Sequence, residues 1–383
     1  MLRYCKKCVQ PDTRPQIYFN KEGICGACLW SEEKKIIDWE KRGRELQAVG
    51  AWAKAEAKKR GTYDCVLGVS GGKDTTFTSL YARDRLGLKC LLVNAWPEQM
   101  TELGIHNLEN LSNLGFDIIH IKPNPRVMRQ IIKEDFYKRG NMNISTEYTI
   151  WSSAYRVAME HRVPLIIQGE NEALTLGASV GLNRDGDAAQ VYKNNTLSGI
   201  NAFQRYAGCQ GVSRKDLFLY RFPESSLLDR IGIRAYYLEY FTNEWDQVGN
   251  STFSVKYGMH IREDCLEELG SIQKFCAMDS DLWIANQVLK YVKFGFGYAT
   301  DEACYEVRAG RMSREEAFEL VKKYDGKCGD KYIEKFCRYI DITVDEFWRV
   351  VESFRNKDLF ERVSGQWVLK SKYGEPVEFI SCG

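Results

Sequence analysis

The chain has 383 residues, 44% hydrophobic and 13% aromatic, enough to bury a full core and to hold two or more units. Its 54 Lys and Arg against 52 Asp and Glu leave a formal charge of +2, so charge gives no ground for a nucleic-acid or acidic-membrane partner. No apolar run approaches the roughly 18 residues of a membrane span, and residues 1–4 carry no leader pattern, so a cytoplasmic protein is expected, with neither nucleic acid nor membrane as partner.

Of the 13 cysteines, four are arranged like ligands. Cys5-Lys-Lys-Cys8 and Cys25-Gly-Ala-Cys28 are two C-x-x-C knuckles, each turning two thiols toward one point. Four thiolates close a tetrahedral structural zinc site, and residues 1–30 read as a zinc-ribbon-like module. A redox dithiol competes, but two matched pairs favour zinc. Gly23 and Gly26 are expected to supply turns, and residues 16–23 a small hairpin. Residues 31–60 are charged and helix-prone, a connector broken near Gly43 or Gly50.

From residue 61 to 222 the pattern alternates. Residues 65–69 carry Val and Leu on both parities, as a strand buried on two faces would. The stretch Ser70-Gly71-Gly72-Lys73-Asp74-Thr75 follows: glycines for a tight turn and close approach of amides to an anion, a cation in Lys73, and a helix start at Thr75. It is not a Walker A loop, because Gly68 to Gly72 has one spacer residue too few and Asp74 stands where that motif has Ser or Thr. Further strands are expected at 89–96, 116–121 and 163–168, with helices at 75–86, around Ile105 to Leu114, at 126–137 and at 148–160. This is a βαβ series, hence a doubly wound, Rossmann-like parallel sheet with ligands at the carboxyl ends of its strands. There stand Asn94 and Ala95, candidates for the adenosine of a nucleotide, and Gly169-Glu170-Asn171 after the fourth strand. Glu170 is a candidate for holding Mg²⁺ with Asp74 or orienting a substrate amide; the alternative is a cap on the next helix.

Residues 223–383 read as mainly helical, for substrate or partner binding. Ser313 to Glu316 and Thr343 to Glu346 are capping boxes. The glycine-aromatic segment 294–301, with Arg308 and Arg311, is a candidate substrate site in which arginines would suit phosphates; the alternative pairs them with neighbouring carboxylates. The tail, 363–383, alternates and suggests a hairpin. His106, His120, His161 and His260 have no triad-like companions, and Cys209 reads as structural.

The loop resembles the pyrophosphate loop, Ser-Gly-Gly-x-Asp-Ser/Thr, of the PP-loop ATPases, which include NAD synthetase, GMP synthetase and tRNA-thiolating enzymes. The cysteine knuckles, that loop, Gly169-Glu-Asn171, Lys293-Phe-Gly-Phe-Gly-Tyr298 and Arg308-Ala-Gly-Arg-Met-Ser-Arg-Glu-Glu316 together resemble the N-acetyl sugar amidotransferases of bacterial surface-polysaccharide biosynthesis. The resemblance implies ATP, Mg²⁺ and structural Zn²⁺. It implies adenylation of an acetamido oxygen on an N-acetylated sugar, then replacement of that oxygen by ammonia to give an acetamidino group. Lys73, Asp74 and Glu170 would be catalytic; Ser70, Gly71, Gly72, Thr75, Asn94, Ala95 and Gly169 would bind nucleotide; Glu170, Asn171, Arg308 and Arg311 would bind sugar. It implies too that ammonia comes from a glutaminase subunit and a cyclase-like barrel subunit, since residue 2 is Leu and Cys209 lacks a nucleophile-elbow context. A tRNA-thiolating or other tRNA-modifying PP-loop enzyme is the alternative.

Overall fold

The computed structural model describes residues 2–177, 185–193 and 197–370. The chain opens with α1 (Gly26–Glu33) and α2 (Trp39–Arg60). It then alternates through β1 (Cys65–Gly68), α3 (Lys73–Asp84), β2 (Cys90–Ala95), α4 (Glu102–Asn113), β3 (Asp117–Ile121), α5 (Pro125–Arg139), α6 (Ile144–Glu160) and β4 (Leu165–Gln168). After the short α7 (Glu172–Thr175), α8 (Ala202–Arg205) and α9 (Ser225–Ile231) comes β5 (Arg234–Tyr237).

The two parities of the central strands sort onto two faces. Cys65, Leu67, Leu92 and Ile167 pack with Leu46, Ala53, Phe77, Leu80 and Leu108 from α2, α3 and α4. Val66, Leu91, Val93 and Ile166 pack with Ala154, Tyr155, Val157 and Ala158 of α6. A sheet covered on both faces is the reason the strands read as continuous apolar runs. All five strands are parallel, in the order β3-β2-β1-β4-β5. The chain therefore steps outward from β1 through β2 and β3, then returns to the other side of β1 with β4. The gap between β1 and β4 is the switch point, where a crevice opens at the carboxyl ends of the strands.

Some expected boundaries move. β5 pairs with β4, so the α/β unit runs past residue 222; its burial alternates as an edge strand's does, without the two-faced apolar run of the others. α2 is unbroken through Gly43 and Gly50, because Leu46, Ala53 and Ala57 on one stripe are buried and a helical glycine costs only about 1 kcal/mol. The small hairpin expected at 16–23 lies at 18–26, where the Gly26 amide donates to the Tyr18 carbonyl at 2.9 Å and the Asn20 amide to the Ile24 carbonyl at 3.0 Å; the isolated bridges are Phe19–Cys25 within it and Tyr4–Pro11 at the first knuckle. Gly23 does turn, at φ 80°. Gly26 opens α1, where a side chain would meet the carbonyl oxygen of Gly177 at 2.9 Å.

The rest of the chain adds α10 (Gly249–Lys256), α11 (Leu266–Leu269), α12 (Leu282–Phe294), α13 (Tyr298–Arg308), α14 (Arg314–Tyr324), α15 (Asp330–Ile340) and α16 (Val344–Ser353). α12, α15 and α16 pack on Met128, Ile132 and Phe136 of α5, while Ala303, Cys304, Phe318 and Val321 of α13 and α14 pack on the knuckles. Ser313 and Glu316 form a full capping box. Thr343 caps α16, but the Glu346 carboxylate accepts from the Tyr137 hydroxyl. The hairpin lies at β6 (Phe360–Val363) and β7 (Gln366–Leu369), with Ser364 and Gly365 both at positive φ, as a two-residue turn of that hand requires. The remainder of the expected tail hairpin, from 371, lies outside the described residues. Among them, no helix is long and apolar enough to cross a membrane.

Candidate active site at the switch point

β1 delivers the chain to the loop at the switch point. Gly71 sits at φ 79°, and a methyl group there would lie 2.9 Å from Cβ of Asn107, so backbone conformation and space both demand glycine. The Ser70 hydroxyl accepts from the Gly72 amide at 3.3 Å, and Thr75 donates to the Gly72 carbonyl at 3.1 Å. These bonds fix the turn just ahead of α3, which starts at Lys73 rather than Thr75. Lys73 and Asp74 thus lie in the first helical turn, where unpaired amides and the helix dipole favour an anion.

Four side chains beyond the loop complete this end. Lys73 Nζ donates to Gln247 Oε1 at 2.7 Å and pairs with Asp74, and Gln247 Nε2 donates to Glu170 Oε2 at 2.7 Å. Asn250 Nδ2 holds Asp74 Oδ1 at 2.9 Å, and Thr175 donates to the second oxygen of Glu170. Burial pushes the Glu170 carboxyl above its usual value, and the charge of Asp74 pushes it the same way. Two carboxylates that repel across a crevice beside a phosphate loop form a donor set that fits Mg²⁺, which when bound would neutralise phosphate charge. Gln247 and Asn250 had no motif to reveal them; only their convergence on the loop marks them.

The crevice is a cavity of about 500 Å³, lined by Ser70, Asp74, Thr75, Ala95, Gly169, Glu170, Trp245 and Asp279 among others, a size suited to a nucleotide. A methyl group at Gly169 would lie 2.4 Å from the Trp245 ring, so glycine is required for that close packing. Asn94 is fully buried, its amide donating to the Val69 carbonyl at 2.9 Å; it ties β2 to β1, which corrects its expected contact with adenosine. Asn171 is also fully buried and caps α7 through the Ala173 amide, so it does not face the crevice, and the cap expected of Glu170 belongs to its neighbour.

A second cavity, of about 460 Å³, shares Ile150, Trp151, Trp283 and Tyr298 as walls with the first. The segment 294–298 lines it, but its cations are Arg14, Lys290 and Lys293. Asp301 lies between Arg14 and Lys290, with Lys290 Nζ at 2.5 Å. Lys293 donates to the carbonyls of Arg139 and Gly140 at 2.9 and 3.3 Å and has no carboxylate partner among the described residues. Burial, with the charge of Arg14, pushes Lys290 down to about 7; burial pushes Glu147, in the same wall, up to about 8. Arg308 and Arg311 lie elsewhere. Arg311 forks onto Asp246 at 2.8 and 3.2 Å and reaches Glu306 at 2.6 Å, which corrects its placement in the sugar site: two carboxylates already engage it. Arg308 donates to the Thr175 carbonyl at 3.4 Å, in a smaller third cavity.

The knuckles converge as their spacing implies. The four Sγ atoms lie within 4.8 Å of one another, with Cys5–Cys28 at 3.8 Å and Cys8–Cys25 at 3.7 Å. A tetrahedron with Zn–S of about 2.3 Å has edges of about 3.8 Å, whereas a disulfide needs about 2 Å. The amides of Lys7 and Cys25 donate to Cys5 Sγ at 3.4 and 3.3 Å, and Arg314 Nε grips the carbonyls of Cys5 and Cys8 at 3.2 and 3.1 Å. The donor set fits a closed structural zinc.

Fold and site together define the class: a Rossmann-like α/β protein with a glycine-rich Ser70–Thr75 loop at its switch point, an N-terminal four-cysteine cluster and a helical C-terminal region. Residues 269–373 match the family model described as LPS biosynthesis protein WbpG-like, C-terminal domain, in agreement with the surface-polysaccharide family that the sequence resembles. No curated protein matches the chain. Among solved structures, NMN synthetase from Francisella tularensis is 15% identical, over 51% of this chain and 92% of its own, with a TM-score of 0.26. The NH3-dependent NAD synthetase from Campylobacter jejuni is 14% identical, over 60% and 100%, also at 0.26. At that score neither likeness bears on the chemistry below.

Proposed function

We propose that the chain is an ATP-dependent amidotransferase that converts the acetamido group of an N-acetylated sugar into an acetamidino group, for lipopolysaccharide or a related surface glycan. The observation that carries this reading is the pair of cavities with common walls: a nucleotide-sized one beside the Ser70–Thr75 loop, and a charged, aromatic one next to it. Lys73 and the amides at the start of α3 hold the β- and γ-phosphates as a leaving group. The acetamido oxygen attacks the α-phosphorus, and the P–O bond to pyrophosphate breaks. Ammonia adds to the imidate carbon and gives up a proton. The C–O bond then breaks, AMP leaves with the former amide oxygen, and C=NH₂⁺ remains. Binding and charge stabilisation suffice, with no protein nucleophile. No cysteine or histidine lines either cavity among the described residues, which suits ammonia supplied by separate glutaminase and cyclase-like subunits in the cytoplasm.

The test is pyrophosphate release by the purified protein with Mg-ATP and ammonium, across UDP- and CMP-linked N-acetyl sugars, with mass spectrometry of the sugar. Sugar-dependent AMP and pyrophosphate, with O exchanged for NH in the product, is the expected result. Pyrophosphate release that depends on tRNA and on no sugar would overturn the proposal.

A further inference from the structure

Resting on that reading, the third cavity gains a role. It measures about 120 Å³ and lies between two helix faces. Ala27, Trp30 and Ser31 on one stripe of α1, with Lys34 just past its end, line one side; Tyr305, Arg308 and Ala309 line the other, along and just past α13. Its floor is Thr175, Trp245, Asp246 and Gln247. The rim is open: Ala309 is exposed, and the Asp246–Arg311 ion pair beside it is partly so. The floor is closed by Trp245, only 2% exposed.

Size excludes a sugar or nucleotide, which needs roughly 300 Å³ or more, yet admits a few molecules of about 30 Å³ each. Position is equally restrictive. Trp245 lines this cavity and the nucleotide cavity alike, so one indole ring separates them. The indole N–H is buried and has no hydrogen-bond acceptor, so the ring is held by packing against Phe77 and Gly169 rather than by a polar anchor. Gln247, also on the floor, bonds Lys73 and Glu170, and Thr175 bonds Glu170. The cavity thus opens to solvent between α1 and α13 and ends at Trp245, beside side chains that bond Lys73 and Glu170. Lys34 and Arg308 in the walls face Asp246 in the floor, so the lining carries both signs and suits a small uncharged reactant.

We infer that this cavity is the entry port for ammonia, with the Trp245 ring as the partition it must pass. The four-cysteine cluster then has a second consequence. Cys25 is the cap of α1 and Cys28 lies within it, so the metal site fixes the helix that forms one wall of the port.

The test separates ammonia use from adenylation. Ser31→Phe puts a ring into the port without touching the nucleotide cavity. ATP–pyrophosphate exchange, driven by the sugar in the absence of ammonium, is expected to stay within about twofold of wild type, while the KM for ammonium rises about tenfold or more. Ala309→Trp, at the exposed rim, is measured in parallel and decides if the first variant does not fold. Exchange retained with an unchanged ammonium KM in both folded variants would overturn the port. Absence of sugar-dependent exchange in the wild-type protein would instead sink the amidotransferase reading itself.

Discussion

The two adjoining cavities share four wall residues but are built on opposite principles. The nucleotide cavity is a backbone structure: one strand, one turn and one helix N-terminus, with Gly71 and Gly169 each placed where a methyl group would collide. The cavity beside it is a side-chain structure, assembled from Arg14, Glu147, Glu172, Trp283 and Lys290, which the sequence scatters over nearly three hundred positions. A backbone site is preorganised and chemically generic, suiting a reactant common to many enzymes. A cavity of buried, mutually perturbed charges is specific to its ligand, and sensitive to pH.

Breaking the first cavity gives the largest effect. Lys73→Met removes the loop's cation, and pyrophosphate release should fall about 100- to 1,000-fold in kcat; Gly71→Ala, strained at positive φ and blocked by Asn107, should do the same although it deletes no functional group. Steady-state kinetics on folded variants check both. Lys290→Met should act differently, raising the KM for an anionic sugar about tenfold while leaving the KM for ATP unchanged; a parallel rise in both would merge the two cavities into one.

The pH dependence sharpens the contrast further. Lys290, held at about 7 by burial, loses its charge as pH rises through that value, and Glu147, at about 8, gains one. Both changes make the cavity more negative, so the KM for an anionic sugar should climb between about pH 6.5 and 8.5 while that for ATP stays flat. The stability signs oppose each other. The unfolded chain holds the Lys290 proton up to its ordinary value near 10.5, so that group adds stability as pH rises from 7; Glu147 binds its proton more tightly when folded, so its contribution is lost as pH rises through 8. A pH-stability curve of Lys290→Met against wild type isolates the first. The smallest effect belongs to Arg311→Ala. Its ion pair with Asp246 is more than a third exposed on both sides, and thermal unfolding should register about 1 kcal/mol or less, with sugar KM unchanged.

What could be read from the sequence follows the same division. The convergence of the knuckles and the tight strand-to-helix turn at Ser70–Thr75 are legible because each is a contiguous pattern whose spacing dictates geometry. Strands buried on two faces were legible for the same reason, whereas the edge strand β5 was missed because only alternate residues in Arg234–Tyr237 are buried. Gln247, Asn250, Arg14 and Lys290 were invisible, since their meaning lies in which distant residue they face. Asn94 shows the converse error: a polar residue at a strand end was read as a ligand contact, while the backbone of the neighbouring strand had already claimed its amide.

In the proposed reaction the sugar's own amide oxygen becomes part of AMP. Turnover of a sugar labelled with oxygen-18 in its acetamido group tests it most directly. The label is expected in the phosphate of AMP and absent from the amidine product; label retained in the sugar, or released into water with unlabelled AMP, would rule this chemistry out.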